Sequence, residues 1–71
     1  MTGKELKAIR HALSLSVVEL GRAIGYQGQE NTVSTTVRRY ECGKREIPPW
    51  IARLVWYMDK HGVPESWISN S

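Results

Sequence analysis

The sequence contains no Phe and a single cysteine, Cys42, in its 71 residues. One thiol cannot close an internal disulfide, so the fold must rest on packing alone. A lone thiol fits a reducing compartment, and a cytoplasmic location is expected. Cys42 with His11 and His61 matches no zinc-ligand spacing, so no metal site is expected. No apolar run approaches the roughly 18 residues that a membrane-spanning helix needs, so no membrane association is expected. The opening Met1-Thr2-Gly3-Lys4-Glu5 leads into charged residues, not into the apolar core of a secretion signal. A Gly-rich phosphate loop, a paired-carboxylate site and a Ser/His/Asp set are missing as well. These absences argue against an enzyme and against any cofactor.

What remains is one small domain over residues 1–71, without linker, repeat or low-complexity segment. At this length a folded chain has a radius of gyration of roughly 11 Å. That is too small for a deep cleft with its own walls and lid, and no small-molecule ligand or sensor domain is expected. Hydrophobic residues make up 41% of the chain, enough for a core that is marginal at this size.

The net charge of +3 is unevenly spread. Residues 1–45 carry a net +4 and residues 46–71 a net −1. The basic excess concentrates at Arg38, Arg39, Lys44 and Arg45, which suits a polyanionic partner and equally a solvated charged face.

The patterning is that of short helices separated by polar turns. Thr2 with Glu5 three residues on is a capping-box spacing and opens a first helix that stops near Ser14-Leu15. Leu6, Ile9 and Leu13 form its apolar stripe. Ser16 with Glu19 repeats the box and opens a second helix, with Leu20 and Ile24 inside and Gly25 as its stop. Gly21 inside this helix costs about 1 kcal/mol against Ala, which points to another helix crossing closely. Tyr26 to Asn31 is polar and contains a glycine, so it reads as a loop. A third helix is expected from about Thr32 or Ser34 to Tyr40 or Cys42, with Val33, Val37 and Tyr40 on its inner face. Pro48-Pro49 opens a fourth helix, with Ile51, Leu54, Val55 and Met58 inside and Gly62 at its end. Val63-Pro64-Glu65 starts a last helical turn through Trp67 and Ile68. The fold class is all-α, a compact bundle of about five short helices.

Two short helices, a turn, and a third helix with small polar and basic residues outward have the layout of a helix-turn-helix. A helix about 10 Å wide fits a major groove roughly 12 Å across. Ser and Thr hydroxyls can meet any base, and Arg pairs with guanine in two hydrogen bonds.

The residues Leu13-Ser-Leu-Ser16, Glu19-Leu20, Ala23-Ile24-Gly25, Val37-Arg-Arg-Tyr40-Glu41-Cys-Gly43-Lys44-Arg45 and Ile47-Pro48 give the chain a family likeness. The sequence resembles the phage-repressor-like (Cro/CI, xenobiotic-response-element type) helix-turn-helix family. Gly62-Val-Pro-Glu-Ser-Trp67 is similar to that family's closing helix. The resemblance covers nearly the whole chain and implies a lambda-repressor-like domain. Its reading unit spans about residues 16–43, and helices over 48–69 supply core and a dimer surface. It implies that Arg10 and Glu41 form a structural ion pair. It implies base contacts from Ser34, Thr35, Arg38 and Arg39, and phosphate contacts from Thr36, Cys42, Lys44 and Arg45. The implied partner is double-stranded DNA with a pseudo-palindromic operator, bound by a homodimer that forms either in solution or only on DNA.

Two departures stand out. Val17 occupies a position where the family usually has Gln, and it can neither hold a phosphate nor brace the reading helix. The turn before helix 3 is about six residues longer than usual: Gly25 and Tyr40 are 15 apart, where the family has about nine. The extra residues either lengthen helix 3 at its start, or reach DNA through Tyr26, Gln27, Gln29 and Asn31, or become ordered on DNA.

The last third of the chain carries surplus aromatics. Trp50 and Tyr57 share one face of the fourth helix, and Trp56 points elsewhere. A small interior has little room for three tryptophans, so Trp56, Tyr57, Trp67 and Ile68 are expected at a dimer interface. Caps over the core by Trp50 and Trp67 are the plainer alternative. His11 reads as an exposed helix residue, His61 as a C-terminal cation, Cys42 as inert and Tyr40 as packed structure.

The expected function is a sequence-specific DNA-binding transcriptional regulator, most simply a small repressor. The alternative is a protein-interaction module of the same fold, such as an antitoxin or anti-activator. Val17, an exposed Val18 and the aromatic end favour that alternative. RNA binding is disfavoured, because no aromatic sits on the basic face of helix 3 to stack bases.

Overall fold

Thr2 and Ser16 start the first two helices in the same way. The Thr2 hydroxyl accepts from the Glu5 amide at 3.1 Å, and the Glu5 carboxylate accepts from the Thr2 amide at 3.2 Å. At the second helix the Ser16 hydroxyl accepts from the Glu19 amide at 3.0 Å, and the Glu19 carboxylate accepts from the Ser16 amide at 2.8 Å. Each box satisfies two amides that a helix start leaves open.

The computed structural model describes residues 1–68. Its five helices are α1 (Gly3–Ala12), α2 (Val17–Ile24), α3 (Glu30–Glu41), α4 (Pro49–His61) and α5 (Glu65–Ile68). No strand occurs among the described residues, so the protein is all-α. The last residue of the unit expected over 48–69 lies outside the described residues.

One core joins all five helices. Leu6, Leu15, Leu20, Ala23, Ile24, Val37, Tyr40, Ile51, Val55 and Met58 are its buried members. α3 and α4 each pack on both α1 and α2, and α5 packs on α2. The radius of gyration is 10.9 Å, in line with the expectation from length.

Two glycines mark where helices nearly touch. A Cβ on Gly21 would run into the Val33 side chain and lie 3.3 Å from Val37 Cγ2, so Val33 and Val37 of α3 pack directly on the α2 backbone at Gly21. A Cβ on Gly3 would run into the carbonyls of Glu41 and Tyr40, so the start of α1 abuts the end of α3.

The inner stripes match their helical spacing with small corrections. Ile51, Val55 and Met58 are fully buried on α4, Ala52 joins them, and Leu54 is half-buried. On α1 only Leu6 is buried, while Ile9 and Leu13 pack against the core from its edge. Val18, expected outside, is half-buried, and Val17 packs partly against the core.

The third helix differs most from expectation. It begins at Glu30, not at Thr32 or Ser34, and the connection from α2 shrinks to Gly25–Gln29. Glu30 and Asn31 therefore belong to α3 and not to the loop. Burial of Val33 against Gly21 carries the helix backward, and the Val33 amide donates to the Gln29 carbonyl at 3.1 Å. Glu30 in the first turn suits the positive end of the helix dipole.

Candidate nucleic-acid interface

Val33, Val37 and Tyr40 face inward on α3, which fixes what faces outward. At 100° per residue, Asn31, Thr35, Arg38 and Cys42 line the outer crest. All four are exposed. Thr32 and Arg39 lie on one flank of this crest and Ser34 on the other. Asn31 belongs to this helical stripe, not to the loop in which sequence reading put it.

The hydroxyl side chains turn their protons back onto the helix. Ser34 Oγ donates to the Asn31 carbonyl at 3.2 Å, and Thr35 Oγ1 donates to the same carbonyl at 2.7 Å. Thr36 Oγ1 donates to the Thr32 carbonyl at 3.0 Å, and Thr36 is half-buried. The lone pairs of Ser34 and Thr35 remain as acceptors. Cys42 has little left to offer a phosphate. Its amide donates to the Arg38 carbonyl at 2.9 Å and its thiol to the Arg39 carbonyl at 3.6 Å.

Among the described residues the one ion pair joins Arg10 to Glu41, at 2.7 Å. Arg38, Arg39, Lys44 and Arg45 are exposed and have no carboxylate partner there. Arg45 lies over the Tyr40 ring, 5.3 Å from its centre, a cation–π contact that steadies its stem. Lys7 of α1 borders a shallow hollow together with Arg38, Glu41 and Cys42. Lys7 thus extends the basic surface of α3 onto α1. The sequence signal for it was the polar spacing Lys4, Lys7, His11, and those residues line a neighbouring hollow.

Several contacts set the pose of α3. The Arg10 guanidinium holds Glu41 and donates to the Leu15 carbonyl at 3.1 Å, tying the end of α3 to the turn between α1 and α2. At the other end, Arg22 reaches back from α2 over the loop. It donates to the Gly28 carbonyl at 2.7 Å and to the Tyr26 carbonyl at 3.4 Å. The Tyr26 and Tyr40 hydroxyls meet at 2.9 Å, linking that loop to the last turn of α3. Burial, and then the hydrogen bond to Tyr40, push the Tyr26 hydroxyl pKa above its usual range. Gln27 and Gln29 stay exposed in this pinned loop.

The four residues expected at a dimer interface do not form one patch. Trp56 and Leu54 lie about 200° apart around α4, on opposite flanks. Trp67 shares a groove with Leu54, Arg22 and Gln27, so it stands on the Leu54 side, away from Trp56. Ile68 is half-buried against the core. Trp50 is 54% exposed and Trp67 36%, so both rings leave surface to solvent. No family model matches the chain, and no curated protein or solved structure matches it either.

Proposed function

We propose that the chain is a sequence-specific binder of double-stranded DNA, a small transcriptional regulator of helix-turn-helix type. In this reading α2, the pinned loop and α3 are the reading unit, and α3 enters the major groove. One observation carries the proposal. The outer crest of α3 presents Asn31, Thr35 and Arg38, flanked by Arg39, with no carboxylate partner for either arginine among the described residues.

The chemistry of those groups divides the work. Arg38 and Arg39 suit guanine O6 and N7, and Asn31 suits adenine N6 and N7. Ser34 and Thr35, with their protons turned to the Asn31 carbonyl, suit the amino groups of adenine or cytosine as acceptors. Lys7 borders this stripe, Lys44 and Arg45 follow it in the chain, and all three suit phosphates, which set register and not sequence. The extra first turn of α3 brings Glu30 and Asn31 to the leading end of the helix, where such helices touch base edges.

Selection from a random duplex library tests the reading, followed by titration of the winner and a scrambled duplex at about 50 and 200 mM salt. Enrichment of one sequence, with binding that outlasts the scrambled control at the higher salt, is the expected result. Equal, salt-sensitive binding to both duplexes would reduce the protein to a non-specific grip. No binding at low salt would remove DNA from the account. A second reading, a protein-binding module, is favoured by the aromatic outer face of α4.

A further inference from the structure

α4 buries one face and leaves the other crowded. Trp50, Trp56 and Tyr57 are 54%, 48% and 54% exposed, a large cost in hydrated aromatic surface for so small a chain. Their arrangement is informative. Arg53 and Lys60, both exposed, run along the outermost line of the helix. Trp56 stands on one flank of that line, and Trp50 and Tyr57 stand on the other. The acid of this helix, Asp59, is turned about 100° away from Lys60. The outer face is therefore two cations set between aromatic walls.

Three kinds of occupant could cover aromatic surface of this size, and the charge order separates them. A second copy fits badly. An antiparallel two-fold pairing centred between Trp56 and Tyr57 sets Arg53 of one copy against Lys60 of the other, and a parallel pairing sets each cation against itself. A lipid surface also fits badly, because the cations on the crest would enter deepest while the aromatics stayed shallow. An acidic partner fits. Arg53 and Lys60 are two turns apart, about 10 Å along the axis, which matches carboxylates at positions i and i+7 of a facing helix. The aromatic walls would exclude water from both ion pairs. At the end of α4, a hollow of about 280 Å³ between Tyr57, His61, Val63 and Pro64 can accept an apolar side chain. The Tyr57 and His61 rings lie 4.6 Å apart and form its wall.

We propose that the outer face of α4 is a docking site for an acidic amphipathic helix of another protein. Its carboxylates, two turns apart, pair with Arg53 and Lys60, and its apolar side chains cover Trp50, Trp56 and Tyr57. The proposal does not depend on DNA binding by α3, since it uses a different helix.

The test is a titration of the full chain, followed by NMR of its backbone amides and tryptophan indoles. The probes are helical peptides of about fifteen residues with Glu at i and i+7 and Leu, Phe or Trp beside them. Matching peptides with Lys for Glu, vesicles of mixed neutral and anionic phospholipid, and a single-stranded thymidine oligonucleotide run in parallel. Shifts confined to α4 and its indoles are expected with the acidic peptides. The double variant Arg53→Glu/Lys60→Glu should bind them at least tenfold more weakly and gain binding to the Lys peptides. Trp56→Ala should weaken binding without changing the charge preference. Acidic peptides that leave the α4 indoles unmoved would overturn the proposal. So would vesicles or the oligonucleotide shifting α4 as strongly, or sedimentation showing a dimer that Trp56→Ala dissolves.

Discussion

Arg10 and Glu41 are 31 residues apart in the chain, yet Arg10 Nε lies 2.7 Å from Glu41 Oε2. Their side chains are only 11% and 9% exposed. The pair clamps α1 to the end of α3 where Gly3 lets the two backbones approach. Removing one partner strands a charge in a nearly dry site, which costs about 3 kcal/mol or more. Glu41→Gln should therefore lower the urea midpoint strongly. The double variant Arg10→Met/Glu41→Leu should recover most of the loss, because it buries no charge. A double variant no better than Glu41→Gln would mean that the pair shapes the helix end in some other way.

Gly21 makes a second prediction. Gly21→Ala gains about 1 kcal/mol in helix propensity but drives a methyl into Val33. Overpacking of this kind costs about 1–3 kcal/mol, so the net effect should be loss. Val33→Ala alone opens a cavity and also destabilises. Combined, the two changes should fill each other's space and fall short of the sum of the single losses. Additive losses in thermal unfolding would show that α2 and α3 do not meet at this point.

Much of this was legible beforehand, for local reasons. Both capping boxes are four-residue signals, and the core stripes of α2 and α4 repeat at helical spacing. Gly21 announced a close crossing because a glycine inside a helix needs a reason. The start of α3 was not legible. Gln29 makes no side-chain cap bond, and Glu30-Asn31-Thr32 carries no apolar residue to reveal a helix. What decides the boundary is the tertiary contact of Val33 with Gly21. The role of Arg22 is not legible in the sequence, because its targets are the backbone carbonyls of Tyr26 and Gly28, and no side-chain pattern encodes them. The parting of Trp56 from Trp67 depends likewise on how α5 settles on α2.

For the DNA reading, base and phosphate contacts should separate under substitution. Arg38→Ala should cost about 1–3 kcal/mol on the selected sequence and relax preference at one base pair. Lys44→Ala and Lys7→Ala should weaken selected and scrambled duplexes alike. Each should also reduce the slope of log affinity against log salt by about 1. Quantitative binding on single-base variants of the selected duplex separates the two patterns. An Arg38→Ala protein that loses affinity uniformly would move Arg38 from base reading to phosphate contact.

The loop before α3 offers a related prediction. Arg22→Gln removes the hydrogen bonds to Gly28 and Tyr26 while leaving the charge of α3 untouched. Hydrogen bonds from a charged group contribute about 1.5–3 kcal/mol, so stability should fall within that range. Amide exchange should quicken most near Gly28 and Gln29. Unchanged exchange there would mean that the loop holds its form without Arg22.

The tyrosine pair adds a pH dependence whose sign follows from Tyr26. Its hydroxyl is held protonated above the usual range, first by burial and then by the bond to Tyr40. The unfolded chain releases that proton at about pH 10, before the folded chain does. The stabilisation is thus fully present below pH 10 and is lost as pH rises through the higher folded value. Tyr26→Phe should lower stability at pH 8, because the buried Tyr40 hydroxyl loses its partner. That loss should be about 1–3 kcal/mol. The gap between native and variant should then narrow as pH climbs above 10, since the native chain forfeits what the variant never had. Urea midpoints for both proteins from pH 8 to 11 measure the gap directly. A gap that stays constant across that range would show that the two hydroxyls do not hold the loop to α3 through a shared proton.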